Sequence, residues 1–365
     1  MPKHELTKAT AYKALQNFFD QKPFVLFATG TSCAVDTNFG MGSLEKFLKA
    51  EINKSTLNKQ QKLEWDYVLA ALEQNPDFEA AMNKISDEVL LRQVIERTAA
   101  HVSSVDRKNA FGILSGEISW PAIGMFKRLV DRLPETDRTL HVATPNYDLT
   151  AEYAFTQANI RYTTGFWGGV VRKLDWVQAE RQMTYAEQVP LGRSKMSTIT
   201  RFRKHLRLYK VHGSLNTFSF KNQVVETDTW REVPTGVERL MITPGTSKHE
   251  KLHDFRDALL AEYDKAVKSH SAFLFLGFGF NDTQLVTNAI SEKLKSQSSP
   301  ALIITRDSNE RIEALLKECK NSWLVCKHPD NDSTRIWNNQ YGNWLHLAKK
   351  ELWKFDIFTN EIMGG

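Results

Sequence analysis

Short, nearly unbroken apolar runs alternate with helical periodicity along most of the chain. Runs at 24–27, 140–144, 206–211, 271–277, 300–305 and 322–326 read as strands, with weaker signals near 160–164 and 239–243. Unbroken apolar runs mark parallel strands whose sheet is covered on both faces. Helical patterns at 250–268, 283–296 and 308–319 fall between them. This alternation predicts a doubly wound α/β fold with a mostly parallel sheet.

Helical signals frame that core. Residues 8–20 place Tyr12, Leu15, Phe18 and Phe19 on one helix face until Lys22-Pro23 breaks the pattern, and another helix is expected near 43–53. From 56 to 133 the periodicity is helical throughout. Leu63, Val68, Leu69 and Leu72 form one face before Asn75-Pro76, Ser86 precedes the acidic Asp87-Glu88, and Trp120-Pro121 opens a further helix. The block 46–135 is therefore expected as a helical insertion or cap within a core spanning about 20–45 and 136–330. Residues 331–365, with Trp337, Trp344, Leu345, Leu347 and Trp353, are expected as a C-terminal helical segment. No internal repeat or low-complexity linker divides the chain, which reads as one domain over 1–365.

The polar residues that interrupt this pattern fall at strand ends. In an open parallel sheet the carboxyl ends of the strands face one crevice, so the segments following Phe24–Phe27, Leu140–Ala143 and Leu206–Val211 are expected to converge. The first carries Gly30, Thr31 and Ser32. Glycine allows positive φ and close approach of the backbone to a ligand, and Thr31 and Ser32 offer hydroxyls and N–H groups to a pyrophosphate; an ordinary strand-to-helix turn is the alternative. The second carries Asn146 and Asp148 behind Pro145. Asn146 can hold a ribose hydroxyl or a water or simply form an Asx turn. The third carries His212, Gly213 and Ser214, and an imidazole there can take a proton from a hydroxyl or water. A fourth turn, Gly277-Phe278-Gly279-Phe280-Asn281-Asp282, allows close backbone approach. Asp282 is also placed to cap a helix at 283–290. Such a set suits a dinucleotide and chemistry on its ribose.

At these residues the sequence resembles the sirtuin-like superfamily, and within it the bacterial branch found in anti-phage defence. Thr144-Pro145-Asn146-Tyr147-Asp148, Val211-His212-Gly213-Ser214 and Gly277-Phe278-Gly279-Phe280-Asn281-Asp282 look like that branch's signature blocks, in order. The resemblance implies a Rossmann-like core that binds NAD, with Asn146 and His212 as the essential amide and histidine and Gly30 and Ser32 in the nucleotide turn. The chain departs from the protein-deacylating relatives in lacking a four-cysteine zinc ribbon. It also has Ala28 at the first glycine of the nucleotide turn and Pro145 where a polar residue is common. Defence relatives lack zinc and hydrolyse NAD, and some are encoded beside a HerA-type ATPase. The expected activity is cleavage of the nicotinamide N-glycosidic bond, giving nicotinamide and ADP-ribose. An NAD-dependent deacylase and a non-catalytic NAD- or ADP-ribose-binding module are the alternatives. No carboxylate pair of the glycosidase kind stands out.

Composition changes this picture little. Of 365 residues, 41% are hydrophobic and 25% charged, with a net charge of +5. No apolar run approaches a membrane span, and no secretory signal is read at Met1–Glu5, so a cytoplasmic protein without a metal is expected. Cys33, Cys319 and Cys326 contain no Cys-x-x-Cys pair, and Cys33 reads as a small buried filler. Basic residues accumulate without acidic ones between Glu187 and Glu226, from Arg193 to Lys221. A solvated or protein-contacting face is expected there, with nucleic-acid contact the weaker alternative. The Trp-rich end is expected to pack on the core or on a second subunit, and a homo-oligomer is expected because uncontrolled NAD hydrolysis needs gating.

Overall fold

A computed structural model describes residues 4–74, 78–82, 84–191, 195–230, 232–241, 250–282, 285–286 and 288–364. Among them, the largest sheet has nine strands. From edge to edge these are Leu345–Leu347, Thr334–Asn338, Ser322–Lys327, Ala301–Ile304, Phe273–Leu276, Phe24–Phe27, Thr139–Thr144, His205–Lys210 and Tyr162–Thr163. Every pairing is parallel except the two that attach Thr334–Asn338 and Leu345–Leu347. The fold is thus mixed α/β, doubly wound and mostly parallel, as the alternation predicts.

The central strands are apolar at every position because their alternating side chains enter two cores. Val25 and Phe27 join one core with Leu15, Phe126, Phe155 and Phe358, whereas Phe24 and Leu26 join the other with Tyr263, Ile290 and Leu316. Helices Lys8–Phe18, Ile123–Asp131, Thr150–Gln157 and Phe355–Ile362 supply the first layer. Helices Glu250–Ser269, Asn288–Lys295 and Glu310–Glu318 supply the second. The chain leaves Phe24–Phe27 for Thr139–Thr144 on one side and later returns to Phe273–Leu276 on the other. The strand order therefore reverses at Phe24–Phe27, which is where ligands enter open α/β sheets.

The segment between these strands is helical over Met41–Asn53, Lys59–Gln74, Phe78–Met82 and Glu88–Ser115. Leu44, Leu48, Trp65, Val68 and Leu90 close a core of their own there. Leu63 stands exposed, and Gln61 and Trp65 take the buried face instead. Asp87, one residue after the expected start at Ser86, caps the long helix by accepting the Leu90 N–H (2.8 Å). Asn75-Pro76 lies outside the described residues. The last of these helices starts at Ile123 rather than at Trp120-Pro121, and Trp120 anchors the main core by donating to the Thr31 carbonyl (3.1 Å).

Three elements differ from the sequence reading. The end of the chain is not wholly helical: Thr334–Asn338 and Leu345–Leu347 extend the sheet before a single helix, Phe355–Ile362. The expected strand at 239–243 is Val237–Met241, antiparallel in a second sheet with Gly213–Phe220, Gln223–Glu226, Arg172–Leu174 and Phe166–Gly168; residues 242–243 lie outside the described ones. A hairpin, Thr184–Pro190 with Met196–Phe202, was not foreseen. Among the described residues no helix is long and apolar enough to cross a membrane.

Candidate functional site

The turns after the two strands at the reversal cross without side chains between them. A Cβ on Gly30 would lie 2.6 Å from the Gly277 Cα, and one on Gly277 would lie 2.7 Å from the Gly30 Cα. Only glycine fits either position. Of the two, Gly277 alone is in the left-handed region, at φ +58°, so Gly30 is required for proximity and not for positive φ as expected. The approach is to backbone: the Gly30 N–H donates to the Gly277 carbonyl (3.1 Å). Nor is the segment an open loop, since Thr29–Cys33 is a short helix. Thr31 also departs from expectation. Its hydroxyl and its N–H both donate to the Ala28 carbonyl, each at 2.9 Å, and its side chain is fully buried. Both donors are engaged within the turn.

Ser32 forms one buried network with Asn146 and Asp148, more than a hundred residues further along the chain. The Asn146 amide donates from Nδ2 to Ser32 Oγ (3.0 Å), and Ser32 Oγ donates to the Asp148 carboxylate (2.9 and 3.0 Å). Asp148 Oδ1 also accepts the Thr150 N–H (3.1 Å), so the Asx turn belongs to Asp148, not to Asn146. The fixed amide leaves Asn146 Oδ1 buried with no hydrogen-bond partner among the described residues. A buried acceptor left open costs free energy and calls for a partner.

His212 follows the next strand. Thr144 and Lys210 are register partners, the Val211 N–H donates to the Thr144 carbonyl (3.2 Å) and the Leu215 N–H donates to the Tyr147 carbonyl (2.9 Å). The Asn146 and His212 turns are thereby stitched together at the same end of the sheet. Gly213 has φ +70°, and a Cβ there would sit 2.0 Å from the Leu240 carbonyl oxygen, so glycine is required to start the antiparallel strand at once. Ser214 is fully buried, donating to Asn216 Oδ1 (2.5 Å) and sharing a hydrogen bond with Thr217 (2.9 Å). It orders this turn from within.

His212 Nε2 lies 2.5 Å from Asp282 Oδ2. A carboxylate only accepts, so Nε2 carries a proton, and in the neutral ring Nδ1 then presents its lone pair; Nδ1 is buried and unpartnered among the described residues. Asp282 Oδ1 accepts the Leu285 N–H (3.2 Å). The following helix begins at Asn288, later than the start at 283 expected behind an Asp282 cap; residues 283, 284 and 287 lie outside the described ones. Phe280 holds φ +57° between Gly279 and Asn281, a strained setting for a bulky side chain that its packing on Phe275 and Phe278 enforces. Gly279 and Asn281 fix the turn through their carbonyls, which accept from Asn309 and Arg311 (2.8 and 2.9 Å).

Sequence reasoning missed the supports beneath this site. Lys210, expected on a basic surface, is 4% exposed and bridges Glu152 Oε1 (2.8 Å) and the Asp148 carbonyl (2.7 Å). Arg207 is likewise inside, paired with Glu180 and Glu262 (3.0 and 3.1 Å), whereas Lys195 is exposed and Arg193 lies outside the described residues. Asp106 clamps the Asp148 turn by accepting the Leu149 N–H (2.8 Å) and the Tyr153 hydroxyl (2.7 Å), and burial pushes its carboxyl up to about 6. Only the charges of Arg207 and Lys210 among the apolar residues of their strand could have signalled any of this. Cys33 packs against the cluster of Phe39, Val102 and Val105, and burial pushes its thiol up to about 11, which removes thiolate chemistry at neutral pH.

The family described as SIR2-like domain matches residues 140–324, just over half of the chain. No curated protein matches it.

Proposed function

The chain belongs to the SIR2-like family, whose members act on NAD in general, and on that premise we propose that it hydrolyses NAD to nicotinamide and ADP-ribose. The observation that carries this reading is the pair of unpartnered buried atoms, Asn146 Oδ1 and His212 Nδ1, on stitched turns at the reversal of the sheet. One is an acceptor and the other a base. Both suit the hydroxyls of a ribose or the water that attacks it.

Nicotinamide leaves as a neutral group, so the glycosidic bond breaks without a general acid and the carboxylate pair of ordinary glycosidases is dispensable. The bonding electrons leave with nicotinamide, and water oxygen forms the new bond at the ribose carbon. His212 Nδ1 takes the proton from that water or from a ribose hydroxyl. Asp282 holds the imidazole in the required tautomer. Asn146 orients the ribose or the water, while Ser32 and Asp148 hold its amide in place. Gly30 and Gly277 let the two turns pack backbone to backbone, which a side chain at either position would prevent. We assign the pyrophosphate to this crossing and not to Thr31.

Chromatography of NAD incubated with the purified chain, alone and with its genomic neighbours, tests the proposal. Nicotinamide and ADP-ribose should appear in equal amounts, and Asn146→Ala and His212→Ala should each lower kcat about 10²-fold or more. Undiminished NAD loss in both variants would remove their roles. Consumption only with an acyl-lysine peptide would make the chain a deacylase, and saturable binding without turnover would make it a binding module. A cytoplasmic defence effector that depletes NAD, gated by self-assembly or by a HerA-type ATPase, is the setting that the resemblance implies. Co-purification with the neighbouring gene products tests it.

A further inference from the structure

Beside the Lys210–Glu152 pair lies a cavity of about 340 Å³, within the size range of small-molecule sites. None of the strand-end residues discussed above lines it. Tyr153, Tyr162 and Phe166 supply apolar walls, and Glu152, Glu226 and Asp228 supply carboxylates. Among the described residues Arg172 is the one basic side chain on its lining, held by Glu226 (2.9 Å) and Asp228 (3.0 Å), and Lys210 stands behind Glu152. Three carboxylates therefore face two cations. Asp106, behind Tyr153, adds a further acidic group.

Two observations point to a missing partner. Glu152 is 8% exposed, and its Oε2 has no hydrogen-bond partner among the described residues. Glu226, equally buried, accepts from Thr164 (3.0 Å), and burial pushes its carboxyl up to about 7 despite Arg172. Burial likewise raises the Glu152 carboxyl, against the pull of Lys210. Burial thus favours the protonated form of both carboxyls. A metal ion fits poorly, because no three acidic, histidine or cysteine side chains converge on one point among the described residues. An aromatic-walled cavity with spread carboxylates suits an extended donor.

We propose that this cavity binds a small organic cation, an amine or guanidinium on a short apolar body, seated between Glu152 and Glu226 with its chain against Tyr153, Tyr162 and Phe166. The cation displaces a proton and returns it to solvent, so binding strengthens as pH rises. The groups that set this balance are Glu152 and Tyr153 on the helix Thr150–Gln157, Lys210 on its strand, Tyr162, Arg172, Glu226 and Asp228, with Asp106 and Asp148 behind them. The proposal does not depend on NAD hydrolysis, since its readout is direct binding.

Calorimetry on the full chain with butylguanidinium, and with butylurea as its neutral isostere, tests it. Butylguanidinium should bind one-to-one at pH 8, about tenfold more weakly at pH 6, with a heat that varies with buffer ionisation because a proton is released. Butylurea should bind at least about tenfold more weakly. Glu226→Gln should weaken the cation about tenfold at pH 8 and flatten the pH dependence; the pH and buffer measurements on the unaltered protein stand even where that variant misfolds. Competition by a capped Ala-Arg-Ala peptide assigns the guanidinium to a protein side chain, and its failure to compete assigns it to a free metabolite. No saturation at pH 8, equal binding of butylurea, or affinity unchanged between pH 6 and 8 overturns the proposal.

Discussion

Lys210→Met measures what a buried charge contributes to the Asn146–Asp148 turn. The ammonium is held at 2.8 Å by Glu152 and at 2.7 Å by the Asp148 carbonyl, and both residues of the pair are buried. Methionine keeps the length and removes the charge. Glu152 then faces the interior with neither oxygen compensated, and breaking a buried pair in this way costs about 3–5 kcal/mol. Protonation of Glu152 limits that cost. Burial already raises its carboxyl above the ordinary 4.5, and loss of Lys210 raises it further. A carboxyl raised in the folded state lowers stability as pH climbs above its unfolded value, by about 1.4 kcal/mol per pH unit until the folded value is reached. The loss should therefore be about 3 kcal/mol or more at pH 8 and visibly smaller at pH 6. Adding Glu152→Gln should restore at least half of it. Urea denaturation followed by tryptophan fluorescence reads all three proteins. A loss under about 1 kcal/mol at pH 8, or one unchanged at pH 6, would show that the pair is solvated and would refute this account.

Three further outcomes are expected. Asp282→Asn should lower kcat for NAD about 10²-fold with KM within about threefold, because His212 loses its fixed tautomer but the nucleotide contacts stay; an equal change in both would assign Asp282 to binding. Gly213→Ala should lower stability by about 2 kcal/mol or more, since it combines φ +70° with a clash on the Leu240 carbonyl, and an unchanged denaturation midpoint would contradict that geometry. Burial, with His270, Arg207 and Lys22, pushes His141 down to about 3, only partly opposed by Asp137. The unfolded chain then takes up a proton near 6.5 that the folded chain refuses until about 3. Stability is lost as pH falls through that window, by up to about 1.4 kcal/mol per unit. His141→Asn should flatten the slope between pH 6.5 and 4.5, with Asp106, pushed up to about 6, acting in the opposite direction.

The central strands were legible because covering a sheet on both faces leaves no polar position to confuse the reading: Phe24–Phe27, Phe273–Leu276 and Ala301–Ile304 are buried throughout. The antiparallel module was not legible. Phe166–Gly168 and Arg172–Leu174 are three residues each and mostly half-covered or exposed, and the hairpin Thr184–Pro190 with Met196–Phe202 has no fully buried position. Thr334–Asn338 buries Thr334, Ile336 and Asn338, so two of its three inward positions are polar and its alternation is hidden. The indole spacing around it reads as a helix instead. The strand-end turns could be read as candidates because topology places them together. Partnership could not: nothing in the sequence pairs Lys210 with Glu152, Asp106 with Tyr153 or His212 with Asp282, since each pair joins separate elements.

These hidden partnerships explain how one sheet edge can hold both a reactive site and a neighbouring charged cavity. Parallel strands end in polar turns that must be fixed without water, and each turn is fixed from below by a buried group of the next element. Lys210 fixes Asp148, Asp148 orders Ser32, and Ser32 sets the Asn146 amide. Such a chain tolerates a cation such as Lys210 inside only if a carboxylate is buried with it. Glu152 is that carboxylate, and it has two oxygens where Lys210 occupies one. The remaining oxygen has no hydrogen-bond partner among the described residues, and Glu152 lies on the lining of the cavity. A ligand neutralising Glu152 there would loosen its hold on Lys210 and so alter the turn that carries Asn146. Butylguanidinium should therefore change kcat for NAD in the unaltered protein and leave it unchanged in Glu226→Gln at concentrations too low to bind that variant; an identical response in both would separate the cavity from the reactive site.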